Sequence, residues 1–380
     1  MANTLTGLIP TLYAALDVVS REASGMVSAV AVNAAPTTAA KDETITIPVT
    51  PAATAYDITP AVAAPDNGDQ AIDKVDMKIT KSRMAPVRWS GEEQLGVSNS
   101  GQYNTILAQQ FAQAMRVLVN EMESDLAALY AGASRAYGTA GTTPFASSIG
   151  DTAQVRKILL DNGAPMTDLQ LVIDSTAGAN LRSLGQLTKA NEAGTDMGLR
   201  RGELLNVNGF SIRESGQIKM HTAGSFTGSA AVNNASGYAV GAKALAFDGA
   251  TAAALKTGDL VKFGTDGKLY VVPSAVTATP LHISSPGLMD VVADDAAITA
   301  ISSYTPNLAF DRNAIQMVAR VPAMPQGGDT ADDVMVVTDP VTGLSFQIAV
   351  YRQYRQLKYE IGMAWGVKLI KPEHVALLVG

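Results

Sequence analysis

The stretch YNTILAQQFAQAMRVLVNEMESDLAAL, from Tyr103 to Leu129, decides how the rest of the chain is read. Tyr103, Leu107, Phe111, Met115, Leu118, Met122, Leu126 and Leu129 recur at three- and four-residue spacing and so line one face of a helix. No proline or glycine follows until Gly132, and Asn99 and Ser100 are residue types that cap helix starts. About 30 helical residues span roughly 45 Å, long for a globular domain. The pattern predicts a structural spine.

Toward the amino terminus, Leu5, Leu8, Ile9, Leu12, Leu16 and Val19 predict an amphipathic helix. Its apolar stripe either docks on its own domain or reaches a neighbour. Between Ala34 and Ala71 lie Pro36, Pro48, Pro51, Pro60 and Pro65, and the stretch closes on Asp66-Asn67-Gly68-Asp69. Within it, Glu43 to Val49 alternates as a strand does. Val75, Met77, Ile79 and Lys81 then alternate with Asp76, Lys78 and Thr80. Two such strands around a turn-rich stretch predict a long hairpin whose prolines sit at edge positions. An arm of that kind has little core of its own.

Past the spine, Gly138 to Gly150 reads as a loop. Asp151 reads as the cap of a short helix that turns Val155, Ile158 and Leu159 inward and stops at Asn162-Gly163. Leu169 to Ile173 reads as a buried strand, Ser175 to Leu184 as a helix, and Phe210 to Glu214 as a strand. From Gly216 to Thr305 the character changes. Short apolar runs at Leu245 to Phe247, Leu260 to Phe263, Leu269 to Val272 and Leu281 to Ile283 are broken by glycines and by Thr265-Asp266-Gly267. They predict a small all-β module. Mixed structure returns with Ala314 to Val321, Val334 to Val337, Phe346 to Tyr351 and a closing strand at Val375 to Val379. The regular alternation of a doubly wound α/β enzyme is missing, so the expected class is α+β.

Of the 380 residues, 47% are hydrophobic, enough for two or three cores, but only 17% are charged. Ala, Gly, Ser and Thr take the place of charges, a composition that suits flat contacts between subunits. The absence of cysteine excludes disulfides and thiolate metal sites. A net charge of −7 with no run of Lys and Arg excludes a tight general grip on nucleic acid, which needs clustered cations. Met1 to Ser20 is apolar, and Ala29-Val30-Ala31 has the small residues of a cleavage site. Yet no Lys or Arg precedes the apolar part, and Asp17 and Arg21-Glu22 interrupt it, the reverse of a secretory signal. No apolar run approaches the ~20 residues of a membrane span. The expected product is soluble and cytoplasmic, without a membrane partner.

No constellation predicts catalysis, and no catalytic, cofactor-binding or metal-binding residue is assigned. His221, His282 and His374 lie far apart without a His-x-x-x-His pair and read as surface or structural residues. Asp294-Asp295 and Asp332-Asp333 lack the regular oxygen spacing of a calcium loop and read as solvated turn acids. There is no Gly-x-Ser-x-Gly elbow and no phosphate loop; Gly237 to Lys243 has glycines and a lysine at the wrong spacing. Asn234-Ala235-Ser236 fits the glycosylation sequon, which matters only in a secreted protein. Tyr351, Arg352, Tyr354, Arg355, Lys358 and Tyr359 interleave aromatics with cations, as single-strand binders do. The alternation from Gln347 to Tyr359 is better explained by one long strand with polar residues on one side.

The order of segments (amphipathic arm, extended hairpin, spine, mixed domain, β insert, return) resembles the capsid fold shared by tailed phages and herpesviruses. Leu169-Gln170-Leu171-Val172-Ile173-Asp174 followed by Ala177-Gly178-Ala179-Asn180-Leu181-Arg182-Ser183-Leu184 is similar to that family's strand-then-helix step. Gly202 to Ile212 resembles its strand that begins with a glycine and an aromatic or proline. Trp365-Gly366-Val367 and Lys371-Pro372-Glu373 resemble its last turn. Ala254 to Phe263, Leu269 to Val272 and Leu281 to Pro286 resemble the β-barrel insertion in the coat proteins of short-tailed Salmonella phages. Phe310 to Ile315 and Val321-Pro322 resemble the resumption of the axial domain after it.

The resemblance implies a non-enzymatic major capsid protein, located in the virion, that self-assembles into an icosahedral shell around double-stranded DNA. It implies an N-terminal arm at 1–40, an extended hairpin loop at 41–90 and a peripheral domain with the spine helix at 91–145. The axial domain would occupy 146–216, a β-barrel insertion domain 217–305, and the axial return with closing peripheral strands 306–380. Implied partners are its own copies in hexamers and pentamers, a scaffolding protein, a portal, a decoration protein where one is used, and packaged DNA through weak contacts. Intersubunit contacts would fall on the arm, the hairpin from Thr44 to Trp89 and the insert. Two other readings stay open: a secreted or surface β-rich adhesin, and a cellular encapsulin-like compartment, which normally lacks such an insert.

Overall fold

Residues 9–22, 25–49, 55–60, 73–99, 103–185, 206–264, 266–340 and 342–380 are described by a computed structural model. Leu5, Leu8, Pro51, Pro65, Asp66-Asn67-Gly68-Asp69, Ser100, Thr265 and the part of the Gly202 to Ile212 segment before Asn206 lie outside the described residues.

The first elements are α1 (Ile9–Glu22), α2 (Met26–Ala29), β1 (Ala31–Ala39), β2 (Thr44–Val49), β3 (Asp73–Lys78), β4 (Lys81–Ser90), α3 (Gly91–Ser98) and α4 (Tyr103–Ala127). α4 is the spine. It buries Leu107, Phe111, Met115, Leu118, Met122 and Leu126, the stripe expected from their spacing, and a 3-10 turn, Ala128–Gly132, follows it. Its 25 residues span about 37 Å. Asn99 does not open this helix. It closes α3 in helical geometry, with its N–H bonded to Leu95 O. α3 itself starts on a capping box in which Ser90 and Glu93 each bond the other's backbone N–H.

Next come β5 (Arg135–Gly138), α5 (Gly150–Asp161), β6 (Leu169–Ile173), α6 (Ser175–Ser183) and β7 (Phe210–Glu214). Asp151 lies inside α5 and is not its cap. Its carboxylate accepts the N–H of Phe145, so it ties down the preceding loop. The β module holds β8 (Ser225–Val232), β9 (Ala244–Leu245), β10 (Phe247–Ala254), β11 (Leu260–Phe263), β12 (Leu269–Val271), β13 (Leu281–His282) and β14 (Ile298–Ala300). The chain ends with β15 (Pro306–Asp311), β16 (Ile315–Pro322), β17 (Asp333–Thr338), β18 (Ser345–Gln353), β19 (Gln356–Leu369) and β20 (Val375–Val379).

Two large sheets organise these strands, one in the order β14-β11-β12-β5-β20-β15-β6-β7, the other β1-β16-β19-β18-β17 with β4 also on β19. In the first, alternate side chains serve two cores. Leu308, Phe310, Val375, Leu377 and Val379 join the core that contains α4. Ala309, Ala376 and Leu378 join the core built with α5 and α6. Strands buried on both faces read as unbroken apolar runs, which is why Val375–Val379 was legible as a strand. The second sheet packs on α4. The Tyr359 ring meets Phe111 edge-on at 5.2 Å, and the Trp365 indole N–H donates to Asp125 at 2.9 Å.

Several expectations need correction. Gln347 to Tyr359 is not one strand: β18 and β19 pair antiparallel and turn at Tyr354-Arg355, where Arg355 adopts a φ of 55°. Arginine is not a residue that announces a left-handed turn. Trp365-Gly366-Val367 lies inside β19, and only Lys371-Pro372-Glu373 turns. Residues 34–39, expected in a turn-rich stretch, belong to β1, which runs parallel to β16 with its register shifted around Pro36. Finally, β4 leaves the hairpin and pairs with β19 from Lys81 to Ser90.

The β module closes on itself through backbone hydrogen bonds. β8 bonds to 295–297, and β14, β11 and β12 follow in turn. Ser284 N–H then bonds Val271 O next to β13, β13 pairs with β9, and Asn233 N–H returns to Ala246 O. Val232, Leu245, Val261, Phe263, Tyr270, Val272, Leu281 and Ile298 share the core of this small ring. β12 also pairs with β5, so the ring is continuous with the eight-stranded sheet.

Candidate assembly surfaces

The surfaces available for contact follow from what the chain has already covered. The described part of the 1–40 segment is held to the body. Leu12, Ala15 and Leu16 of α1 are buried in the core that contains α4. In the turn that follows, buried Glu123 of α4 accepts the N–H groups of Met26 at 2.9 Å and Val27 at 2.8 Å, and the hydroxyl of Ser215 at 2.7 Å. Arg213 donates to Ser28 Oγ at 2.9 Å, Arg312 to Ser28 O at 3.0 Å, and Arg320 to Asn33 O at 2.6 Å. Over its described residues the arm is docked on its own domain, the first of the two readings its pattern allowed. Its apolar stripe finds α4, and its polar backbone finds side chains of the same chain.

The hairpin is different. β2 and β3 pair only with each other, Ile45 facing Met77, Ile47 facing Val75, and Thr46 facing Asp76. One face of this ribbon carries Ile45, Ile47, Val49, Val75 and Met77; the other carries Thr44, Thr46, Lys74, Asp76 and Lys78, all exposed. Its base is anchored: Met77 is buried, Ile45 packs against Ala39, Ile79 and Ala364, and Lys368 donates to Asp76 O at 2.8 Å. Ile47, Val49 and Val75 belong to none of the buried clusters of the described residues. Six residues make a strand about 20 Å long, and Ile47, Val49 and Val75 along it are half-buried. Farther along, Tyr56 is 61% exposed and Ile58 is 100% exposed.

A second unfinished surface lies at the edge of the six-stranded sheet. Among the described residues β17 pairs with β18 alone, and its Val334 and Val336 point away from the core at 38% and 40% exposure. An edge of this kind offers unpaired backbone groups and apolar side chains together.

The residues singled out for chemistry are not brought together. His282 is exposed. His374 is half-buried, and burial pushes its imidazole below the ordinary value against the opposing pull of Glu373. His221 is buried and bonds Tyr130 and Asp259, partners that its sequence neighbourhood does not suggest. Asp294 accepts the N–H of Asn234, whose own side chain closes the turn at Ser236 and Gly237. Asp332 pairs with Arg352 at 2.5 Å, Lys358 pairs with Glu360, Tyr351 bonds Asp329 and Tyr359 is buried, which leaves Tyr354 standing out at 90% exposure. Among the described residues no group of three or more His, Asp or Glu side chains could hold a metal, and no helix is long and apolar enough to cross a membrane.

No family model matches the sequence, and no curated protein matches it. Solved structures do. A chain from Mycobacterium phage Che8 is matched over 89% of this chain and 85% of that one, at 15% identity and a TM-score of 0.46. A chain from the capsid structure of the cyanophage P-SCSP1u is matched over 92% and 86%, at 13% identity and a TM-score of 0.46. A chain from the mature capsid of bacteriophage PhiM1 is matched over 93% and 86%, at 12% identity and a TM-score of 0.45.

Proposed function

We propose that this chain is the major capsid protein of a tailed phage, a structural subunit that works by assembling with its own copies and not by catalysis. The observation that carries this reading is the ribbon. Two strands without a core are marginal in water, and this pair leaves Ile47, Val49 and Val75 half-buried on a face that joins none of the buried clusters of the described residues. Covering such a face against a second subunit gains ~25 cal/mol for each Å² of apolar surface removed from water. The β17 edge supplies another unfinished surface on the same subunit. Contacts between unlike patches close into rings when the rotation between copies closes, which fits hexamers and pentamers.

In this reading 1–40 is a strap held to its own subunit over its described part, and 41–90 is the extended loop. Residues 91–145 form the peripheral spine region, 146–216 and 306–380 the axial domain, and 217–305 the inserted β ring. Scaffolding protein, portal and decoration protein follow from the resemblance of the sequence segments. Contact with packaged DNA is weak in this account, because Lys81, Arg182, Lys268, Arg352 and Lys358 each sit on a carboxylate of the same chain. Electron microscopy of the purified chain tests the reading. It should show rings or closed shells; particles of single-subunit size at high concentration would reject it.

A further inference from the structure

We propose that Tyr130, His221, Asp259 and Tyr304 form a locked joint that holds the β ring of residues 225–300 in one fixed orientation on the spine. This goes beyond the shell reading and does not depend on it. The ring is attached to the body by the pairing of β12 with β5 and by its two connections, the segments just before β8 and just after β14. Those two segments are bridged to each other: His221 N–H donates to Tyr304 O at 2.8 Å, and Tyr304 N–H to His221 O at 3.2 Å.

Side chains close the joint from three directions. Asp259, wholly buried in the turn before β11, faces His221 Nε2 at 2.6 Å and accepts the N–H groups of Lys256 and Gly224. With Nε2 donating to that carboxylate, His221 Nδ1 is left to accept the hydroxyl of Tyr130 at 2.8 Å. Tyr130 belongs to the 3-10 turn that ends the spine, so one imidazole links spine, connection and ring. Tyr304 completes the set by donating its hydroxyl to Gly258 O at 2.5 Å. The three aromatic rings pack against one another with centroids 5.2 to 6.5 Å apart.

Two glycines make the closeness feasible. A Cβ on Gly258, whose φ is +92°, would fall 2.6 Å from the Tyr130 ring. A Cβ on Gly224 would fall 2.0 Å from Ala254 O. The joint is therefore tightly packed, and opening it would take the His221 and Gly224 bonds from a buried carboxylate and leave a buried imidazole without partners.

Hydrogen exchange of the full chain, read by mass spectrometry, tests this. In Asp259→Ala the amides of His221 and Tyr304 should exchange about a hundredfold faster or more, while those of β18 and β19 keep their rates. In Tyr130→Phe, a milder change, the same two amides should speed up about tenfold. If Asp259→Ala does not fold, Tyr130→Phe decides alone. Unchanged exchange at His221 and Tyr304 in Tyr130→Phe, or a rise equally large in β18 and β19, would overturn the proposal.

Discussion

The ribbon β2–β3 and the ring of residues 225–300 are both built from short strands, yet they settle their apolar faces in opposite ways. The ring closes its hydrogen bonds and folds Phe263, Tyr270, Val272 and Leu281 into a core of its own. The ribbon keeps an equally regular alternation, but beyond buried Met77 and the contact of Ile45 its described apolar residues are half-buried and join no cluster. Strand pattern alone therefore does not say whether a segment is finished. What decides it is whether enough strands are present to enclose the face they share. The ring can hold its shape in one isolated subunit, whereas in the proposed reading the ribbon is completed by a neighbour.

That contrast can be broken by substitution. Phe263→Ala removes a fully buried ring side chain and should cost about 3–5 kcal/mol, read in the unfolding transition of the unassembled subunit. A cost near zero would mean the ring is not a core at all. Glu123→Ala should come next, at about 2 kcal/mol, because Met26, Val27 and Ser215 each lose a buried acceptor. Exchange at residues 26–27 should rise with it, and an unaltered rate there would show that the strap is not held by Glu123.

Acid should act on the ring. Burial would raise the Asp259 carboxyl, but hydrogen bonds from His221 and from the N–H groups of Lys256 and Gly224 outweigh it and hold the group below its ordinary 3.8. Its folded value is the lower one, so its contribution is complete above the ordinary carboxylate range and is lost as pH falls through the depressed value. A pH series of subunit stability should steepen there, and Asp259→Asn should flatten it. Smallest of all is the expected effect of Ile47→Ser on the isolated subunit, within about 0.5 kcal/mol. A loss of several kcal/mol on unfolding would show that the ribbon has support within its own chain after all.

The parts of the molecule that were legible in the sequence are those governed by one periodicity. The spine stripe from Leu107 to Leu126 and the closing strand Val375–Val379 needed only spacing and apolar runs. The capping box of Ser90 and Glu93 was equally readable as Ser-x-x-Glu, and attention to it would have revealed α3 and moved Asn99 from the start of α4 to the end of α3. Other features depend on residues far apart along the chain. Glu123 serves donors 97 and 96 positions away, and His221 meets Tyr130 across 91 and Asp259 across 38. No local pattern encodes such pairs. The turn at Arg355 was hidden for a different reason, since β18 and β19 carry continuous alternation through it and a cation occupies the left-handed position.

The most direct measurement is sedimentation of the purified wild-type chain beside Ile47→Asp, with the thermal unfolding of each subunit recorded in parallel. A ribbon that is completed by a neighbour predicts fast-sedimenting closed particles for the wild type and single subunits with an unchanged midpoint for the variant. Particles formed equally well by both, or a wild type that stays a single subunit at high concentration, would contradict it.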